Sequence, residues 1–404
     1  MRLRGPEGWF AGFSASCQVV TVYARKKENS MRIGVNARLL IDGRMEGVGW
    51  YAHEVISRLV AMFPDIEFVL FFDRQPDPRF VYASNVRAVV LSPQARHPLL
   101  YLAWFEGALP AAMRAHEVDL FFSPEPFMSL GSDVPAVITV HDIAYVHFPQ
   151  YISALTGLFY RVFFHRYMRK ARQIVSVSGY TTEDVVEHYS ISRDKFVQAG
   201  NGCRNSFAPL GESERQALRD RWAEGNPYFC YLGSIHPRKN TLHLIKAFEK
   251  MKVDTGCPHH LILAGRWGWK QKAVARALRQ SPFRDAITLT GYLPEPEPAR
   301  ILAASDGLVY PSLFEGFGLP VLEAMHAEVP ILTSSVSSMP EVAGEAAILV
   351  DPHSVDSIAA GMKQLVTDPE LRHRLVAAGC RERMRYSWDL TAKVTARALG
   401  LIPQ

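Results

Sequence analysis

Two glutamates frame a glycine turn in the stretch Glu315-Gly-Phe-Gly-Leu-Pro-Val-Leu-Glu323. An apolar run ending at Tyr310 leads into Pro311-Ser-Leu-Phe-Glu315, and a helix is expected to start near Leu319-Pro320, because proline suits a first helical turn. Gly316 and Gly318 permit unusual backbone angles and close approach of a ligand. The loop amides and the helix N-terminus can hold anionic oxygens. Carboxylates accept hydrogen bonds from neighbouring hydroxyls, as on a ribose or hexose. A carboxylate that merely favours the helix dipole would account for Glu323. It does not account for Glu315 and both glycines together.

A second stretch supplies cations. The apolar run Tyr228–Leu232 is followed by Gly233-Ser-Ile-His-Pro-Arg-Lys-Asn240, then a helix from Thr241. Arg238 and Lys239 thus stand before a helix N-terminus, the unfavourable end for a cation. A bound phosphate would resolve that conflict. Two solvated surface cations are the alternative, and the position directly after a strand favours the anion site.

The elements around these residues alternate. Short apolar runs at Ile33–Ala37, Phe68–Phe72, Ala88–Leu91, Leu120–Phe122, Ala136–Val140 and Ile174–Val177 are separated by helical stretches, the first from about Trp50 to Met62. Turn residues crowd the segment between Gly200 and Pro227. The alternation then restarts with Tyr228–Leu232, Leu261–Ala264, Ile287–Thr290, Leu308–Tyr310, Ile331–Thr333 and Ala347–Val350. Such a pattern predicts two doubly wound α/β domains with parallel sheets. Ligands of open α/β sheets bind outside the carboxyl ends of the strands, which is where the singled-out residues fall. The last segment, Trp388 to about Leu399, reads as a helix able to cross back onto the first domain.

With 404 residues the chain is long enough for two domains, and about half of it is apolar. The net charge of +5 is partly owed to Arg2, Arg4, Arg25, Lys26 and Lys27, and is too small to make nucleic acid the main partner. Five cysteines, Cys17, Cys203, Cys230, Cys257 and Cys380, show no metal-ligand spacing and read as reduced cytoplasmic thiols. The longest run without an acid or a Lys/Arg, Ile143 to Tyr160, contains His147, Pro149 and Gln150 and would span a bilayer poorly. Residues 1–30 read as an appendage before a domain that starts at Met31, with a faint signal-like character from Gly8 to Ala24 as the other reading.

The Glu315–Glu323 stretch resembles the E-x7-E motif of retaining glycosyltransferases with the GT-B fold, especially glycosyltransferase family 4. Further stretches agree in order: Tyr231-Leu-Gly-Ser with Pro237-Arg-Lys-Asn240, Leu263-Ala-Gly265, Thr290-Gly-Tyr-Leu293, Ala304-Ser-Asp306 and Pro340-Glu-Val-Ala-Gly344. The resemblance runs from about Met31 to Leu399. It implies two Rossmann-like domains facing across a cleft: an acceptor domain over 31–205, a nucleotide-sugar donor domain over 206–385, and a returning helix over 386–404. It implies that Arg238 and Lys239 hold the donor diphosphate and act in catalysis, and that Glu323 binds the ribose. Glu315, with the amides of Phe317, Gly318 and the neighbouring Leu319, would contact the donor sugar and phosphate. Tyr292 and Leu293 would lie near the base. Glu315 would position the donor rather than attack it. With no Asp-x-Asp in the chain, no metal or other cofactor is expected.

In the first domain, Gly47-Val-Gly49 opens a helix and is either a tight turn or, as the resemblance implies, a loop near the donor phosphate or the acceptor. His141-Asp142 follows a strand. The resemblance places His141 near the transferred sugar, while Asp142 could fix a ring tautomer or cap a turn. His141 to Pro149 is similar to a mannosyltransferase-like branch, which makes GDP-mannose the expected donor and a polysaccharide or glycolipid the expected acceptor. The acid-free stretch Leu158 to Arg172 is either a helix with its aromatics in the core or a contact for an anionic membrane or a lipid-linked acceptor. A nucleotide-sugar epimerase or phosphorylase, and a non-catalytic nucleotide- or glycan-binding protein, share the expected architecture.

Overall fold

The computed structural model describes residues 31–403 apart from Arg44 and residues 269–271. The expected appendage over 1–30 and Cys17 lie outside the described residues. A seven-stranded sheet has the order β3-β2-β1-β4-β5-β6-β7. Its strands are β1 (Arg32–Asn36), β2 (Glu67–Phe72), β3 (Val86–Val90), β4 (Leu120–Ser123), β5 (Ala136–Val140), β6 (Gln173–Ser176) and β7 (Phe196–Gln198). A six-stranded sheet has the order β10-β9-β8-β11-β12-β13. It contains β8 (Tyr228–Leu232), β9 (His260–Ala264), β10 (Ile287–Gly291), β11 (Gly307–Tyr310), β12 (Ile331–Ser334) and β13 (Ala347–Val350).

Every strand pair is parallel. The edge strand β7 is the one strand that the apolar pattern does not announce, because only its central valine is aliphatic and none of its residues is buried. Elsewhere the side chains of one strand alternate between faces. In β2, Phe68, Leu70 and Phe72 join one buried cluster, and Val69 and Phe71 join another on the opposite face. Each such burial contributes about 1.5–3 kcal/mol.

Both sheets reverse direction at one point. In the first sheet the order turns between β1 and β4, and in the second between β8 and β11. Open parallel sheets bind ligands at the carboxyl ends of the strands beside such a reversal. The two crevices face one another across a cleft of about 1080 Å³.

The helix Trp388–Leu399 returns to the first domain, as expected. Asp389 pairs with Arg58 of the helix Gly47–Met62 at 2.6 Å. The Trp388 ring meets Tyr51 edge-on at 6.1 Å.

Candidate active site

The loops after β8 and β11 build the centre of the cleft. After β8 the chain makes a 3-10 turn, Pro237–Lys239. Asn240 follows at φ +62°, a left-handed conformation that asparagine tolerates better than most residues. Its buried side-chain amide donates to the carbonyls of Pro311 at 3.0 Å and Pro352 at 2.6 Å. The two loops are thereby tied together, and Arg238 and Lys239 are carried against Glu315.

Glu315 is buried and paired with both cations. Its Oε1 accepts from Lys239 Nζ at 2.5 Å, from Ser312 Oγ at 2.6 Å and from the Tyr310 hydroxyl at 2.9 Å. Its Oε2 lies 3.4 Å from Arg238 Nη1, which also donates to the Phe314 carbonyl at 2.5 Å. Burial alone would raise the carboxyl pKa, but the charges of Lys239 and Arg238 and the hydrogen bonds from Lys239 and Ser312 hold it at about 2. Burial lowers the Lys239 pKa against the pull of Glu315. It also raises the Tyr310 hydroxyl well above its ordinary value, which keeps that group a donor.

The depressed carboxyl pKa has a consequence for stability. The folded value lies below the unfolded one, so Glu315 stabilises the fold above the ordinary carboxylate range. That contribution is lost as pH falls from about 4.5 toward about 2. Thermal melts across this range are expected to show an acid-side fall that is shallower in Glu315→Gln. That variant also costs about 3 kcal/mol at neutral pH, since it leaves Lys239 buried without its partner. Parallel acid limbs in the two proteins would exclude Glu315 as their source.

Gly316 permits the close approach between domains. A side chain at Gly316 would place its Cβ 1.6 Å from the His141 carbonyl oxygen of the first domain. Gly318 has φ +89°, and a Cβ there would sit 2.1 Å from Met339 Cε. The Gly316 carbonyl accepts from Ser178 Oγ at 2.6 Å and Thr181 Oγ1 at 3.1 Å. Glu341 reaches the other way, accepting from the amides of Gly179 at 2.8 Å and Tyr180 at 2.9 Å, the first residues of the helix Gly179–Tyr189. That carboxylate meets the positive end of the helix dipole.

His141 is half-buried beside the same contact. Its Nε2 donates to the Pro124 carbonyl at 2.8 Å, so the ring proton sits on Nε2 and Nδ1 is left as an acceptor. Burial lowers its pKa and keeps the ring neutral. Asp142 caps the following turn, accepting from the Ala144 amide at 2.9 Å. Of its two expected roles, capping is the one present.

All twelve residues singled out by the sequence line this one cleft: Glu315, His141, Arg238, Lys239, Glu323, Phe317, Gly318, Leu319, Tyr292, Leu293, Gly47 and Gly49. Gly47 and Gly49 are the start of a helix rather than a free loop. A Cβ on Gly47 would lie 3.2 Å from Leu319 Cδ1 of the second domain. The exposed Tyr292 hydroxyl donates across the cleft to the Gly43 carbonyl at 2.9 Å.

Glu323 brings a partner that motif reading missed. Its Oε1 accepts from Arg204 at 2.7 Å, and Arg204 also pairs with Glu295. The guanidinium lies 5.1 Å from the Trp50 ring centre and 4.8 Å from that of Phe207. Burial raises the Glu323 pKa, with Arg204 opposing. Asn201 was missed as well. It lines the cleft, and its buried Oδ1 has no hydrogen-bond partner among the described residues. Both sit in Asn201-Gly-Cys-Arg204, which reads as a turn between domains. The one available signal was a lone cation inside that turn.

The group described as "Glycosyl transferases group 1" matches residues 213–381, and "Glycosyltransferase Family 4" matches residues 45–204. The chain is a group 1, family-4-like glycosyltransferase. This hexosyltransferase is 27% identical over 369 residues to the O-antigen chain mannosyltransferase B of Escherichia coli, covering 89% of this chain and 97% of that one. It is 29% identical over 229 residues to the serotype-specific mannosyltransferase WbdA of the same organism, covering 55% of this chain but 28% of that longer protein. Its fold is that of sucrose-phosphate synthase from Thermosynechococcus elongatus, with TM-score 0.73, 17% identity, and coverage of 91% of this chain and 98% of that chain. It also matches Anabaena Alr3699/HepE in complex with UDP and glucose, with TM-score 0.72, 16% identity, and coverage of 92% and 100%. The two-domain GT-B architecture expected from the motif is therefore present, and the enzyme class is a glycosyltransferase.

Proposed function

We propose that this glycosyltransferase moves mannose from GDP-mannose to a growing cell-surface polysaccharide or glycolipid with retention of anomeric configuration. The observation that carries the reading is the Arg238–Lys239–Glu315 cluster at the reversal point of the second sheet. The two cations face the place where a diphosphate would lie, and their positive charge stabilises it as it leaves. The acceptor oxygen bonds to the anomeric carbon on the face from which the carbon–phosphate oxygen bond breaks. The departing phosphate oxygen takes the acceptor's proton. Glu315 is poorly suited to attack that carbon, because its charge is paired with Lys239 and Arg238 and its Oε1 also accepts from Ser312 and Tyr310. It orients the cations instead. The relatives named mannosyltransferases support mannose as the sugar.

Incubation with GDP-, UDP- and ADP-sugars tests the donor. GDP-mannose is expected to bind and to be slowly hydrolysed. Turnover of another donor alone would replace mannose, and silence with every donor would remove the reading.

We propose further that the acceptor is lipid-linked and is met at an anionic bilayer on the cytoplasmic side. Among the described residues, no helix is long and apolar enough to cross a membrane. Leu155 and Leu158 are nevertheless exposed on the helix Ala154–Lys170, and Leu99 and Leu100 on the helix Pro98–Leu102 packed beside it. Arg161, Arg166 and Arg169 are exposed on the longer helix and Arg96 just before the shorter one, and no acid occurs between Asp142 and Glu183. The opposite face of the longer helix carries Tyr160 and Phe164 into the cleft. Exposed leucines among arginines suit an anionic interface. Sedimentation with phosphatidylglycerol vesicles is expected to retain the protein, and Leu155→Asp with Leu158→Asp to weaken retention about tenfold. Equal retention on pure phosphatidylcholine would argue against the charge component.

A further inference from the structure

A second buried ion pair lines the cleft, and the transfer as described uses neither member. Arg38 stands in the loop after β1 and Glu125 in the loop after β4. These are the strands at which the first sheet reverses. Lys239 and Glu315 hold the corresponding positions after β8 and β11 of the second sheet. Each domain therefore presents an ion-paired glutamate at its own ligand crevice, with one cation in the first domain and two in the second.

The pair has unspent hydrogen-bonding capacity. Glu125 Oε1 accepts from Asn36 Nδ2 at 2.7 Å and from Arg38 Nε at 2.6 Å, while Oε2 accepts from Arg38 Nη2 at 2.5 Å. Arg38 Nη1 donates to the Ala95 carbonyl at 3.2 Å. A carboxylate takes about four hydrogen bonds and a guanidinium gives about five. Among the described residues, Oε2 thus keeps room for one more donor, and two N–H groups of Arg38 keep room for acceptors. The guanidinium is held 5.3 Å from the Tyr101 ring centre and 5.1 Å from that of Phe127. Phe127, Tyr145, Tyr160 and Phe164 continue the wall of the cleft. A buried ion pair is weak as a stabilising device, because an apolar pair of similar volume often serves as well. Its location in an aromatic-walled crevice fits recognition better than support.

The ligand chemistry follows. The two charges cancel, so the pocket suits a neutral ligand. Hydroxyls can donate to Glu125 and accept from Arg38, and aromatic rings pack the C–H faces of a pyranose. The Pro124 carbonyl, one residue before Glu125, holds His141, which puts the pair next to the interdomain contact at Gly316. We propose that Arg38 and Glu125 bind the terminal neutral hexose of the acceptor glycan, Glu125 accepting from one ring hydroxyl and Arg38 donating to another. This rests on the transferase reading above.

The test uses the full chain, GDP-mannose as donor and octyl α-mannoside as acceptor probe. Glu125→Gln is expected to raise the acceptor KM about tenfold, with GDP affinity and acceptor-free donor hydrolysis unchanged. Tyr160→Ala, on the same wall but outside the ion pair, is expected to show the same split and serves if Glu125→Gln melts early. An unchanged acceptor KM in a folded variant overturns the assignment. So does a parallel loss of GDP affinity, which a merely structural pair would give. A parent enzyme that hydrolyses no donor instead removes the transferase reading, and this one with it.

Discussion

Lys239→Ala is expected to lower kcat/KM by about a thousandfold, an effect of the size seen when a group that stabilises developing charge is removed from a dry site. Two losses combine. In the proposed reaction the leaving diphosphate loses an ammonium, and Glu315 keeps its charge with one fewer partner. Ser312, Tyr310 and Arg238 still donate to that carboxylate, so the fold is expected to survive with a stability loss of about 3 kcal/mol. Steady-state kinetics with a thermal melt on the same preparation separate the two effects. A folded variant within about tenfold of the parent would mean that Lys239 only supports Glu315. Arginine is not expected to rescue it, because a planar fork cannot replace a compact ammonium that contacts both Tyr310 and Glu315.

Gly316→Ala is expected to cost about a hundredfold in turnover, since a displacement of about 1 Å at a reacting centre can do so. The added methyl would meet the His141 carbonyl oxygen at 1.6 Å, and neither backbone can yield without parting the domains. The same shift would break the hydrogen bonds from Ser178 and Thr181 to the Gly316 carbonyl. Nucleotide affinity should change little, because Arg238, Lys239 and Glu323 all stand in the second domain. Small-angle scattering should report a larger radius of gyration for the variant. Full turnover with an unchanged radius would show that the contact is dispensable.

Much of this site is legible in the sequence because its residues follow strands. Apolar runs marked twelve of the thirteen strands, and the glycines and charges after β8 and β11 are local signals. Glu315, Arg238 and Lys239 could therefore be singled out from position and chemistry, while Glu323 needed the family resemblance. Arg204 could not, because its link to Glu323 spans 119 residues and passes through a segment whose composition announces only a turn. Arg38 and Glu125 are separated by 87 residues. Each is unremarkable among the other charged residues until the sheet order sets β1 beside β4. Strand β7 escaped for the opposite reason, since its pairing to β6 requires little apolar character. The expected phosphate ligands were found already paired with carboxylates, a balance of buried charge that one-dimensional spacing does not report.

The helix Trp388–Leu399 is last in the sequence, yet it packs on the first domain through Asp389 and Trp388. Cutting the chain at the turn between the domains would therefore not give two complete halves. A fragment ending before residue 206 would leave Tyr51 and Arg58 without the surfaces that cover them, and a peptide spanning the last helix should restore them by complementation. Ribosomal synthesis meets the same constraint: the first domain emerges before the helix that completes its surface.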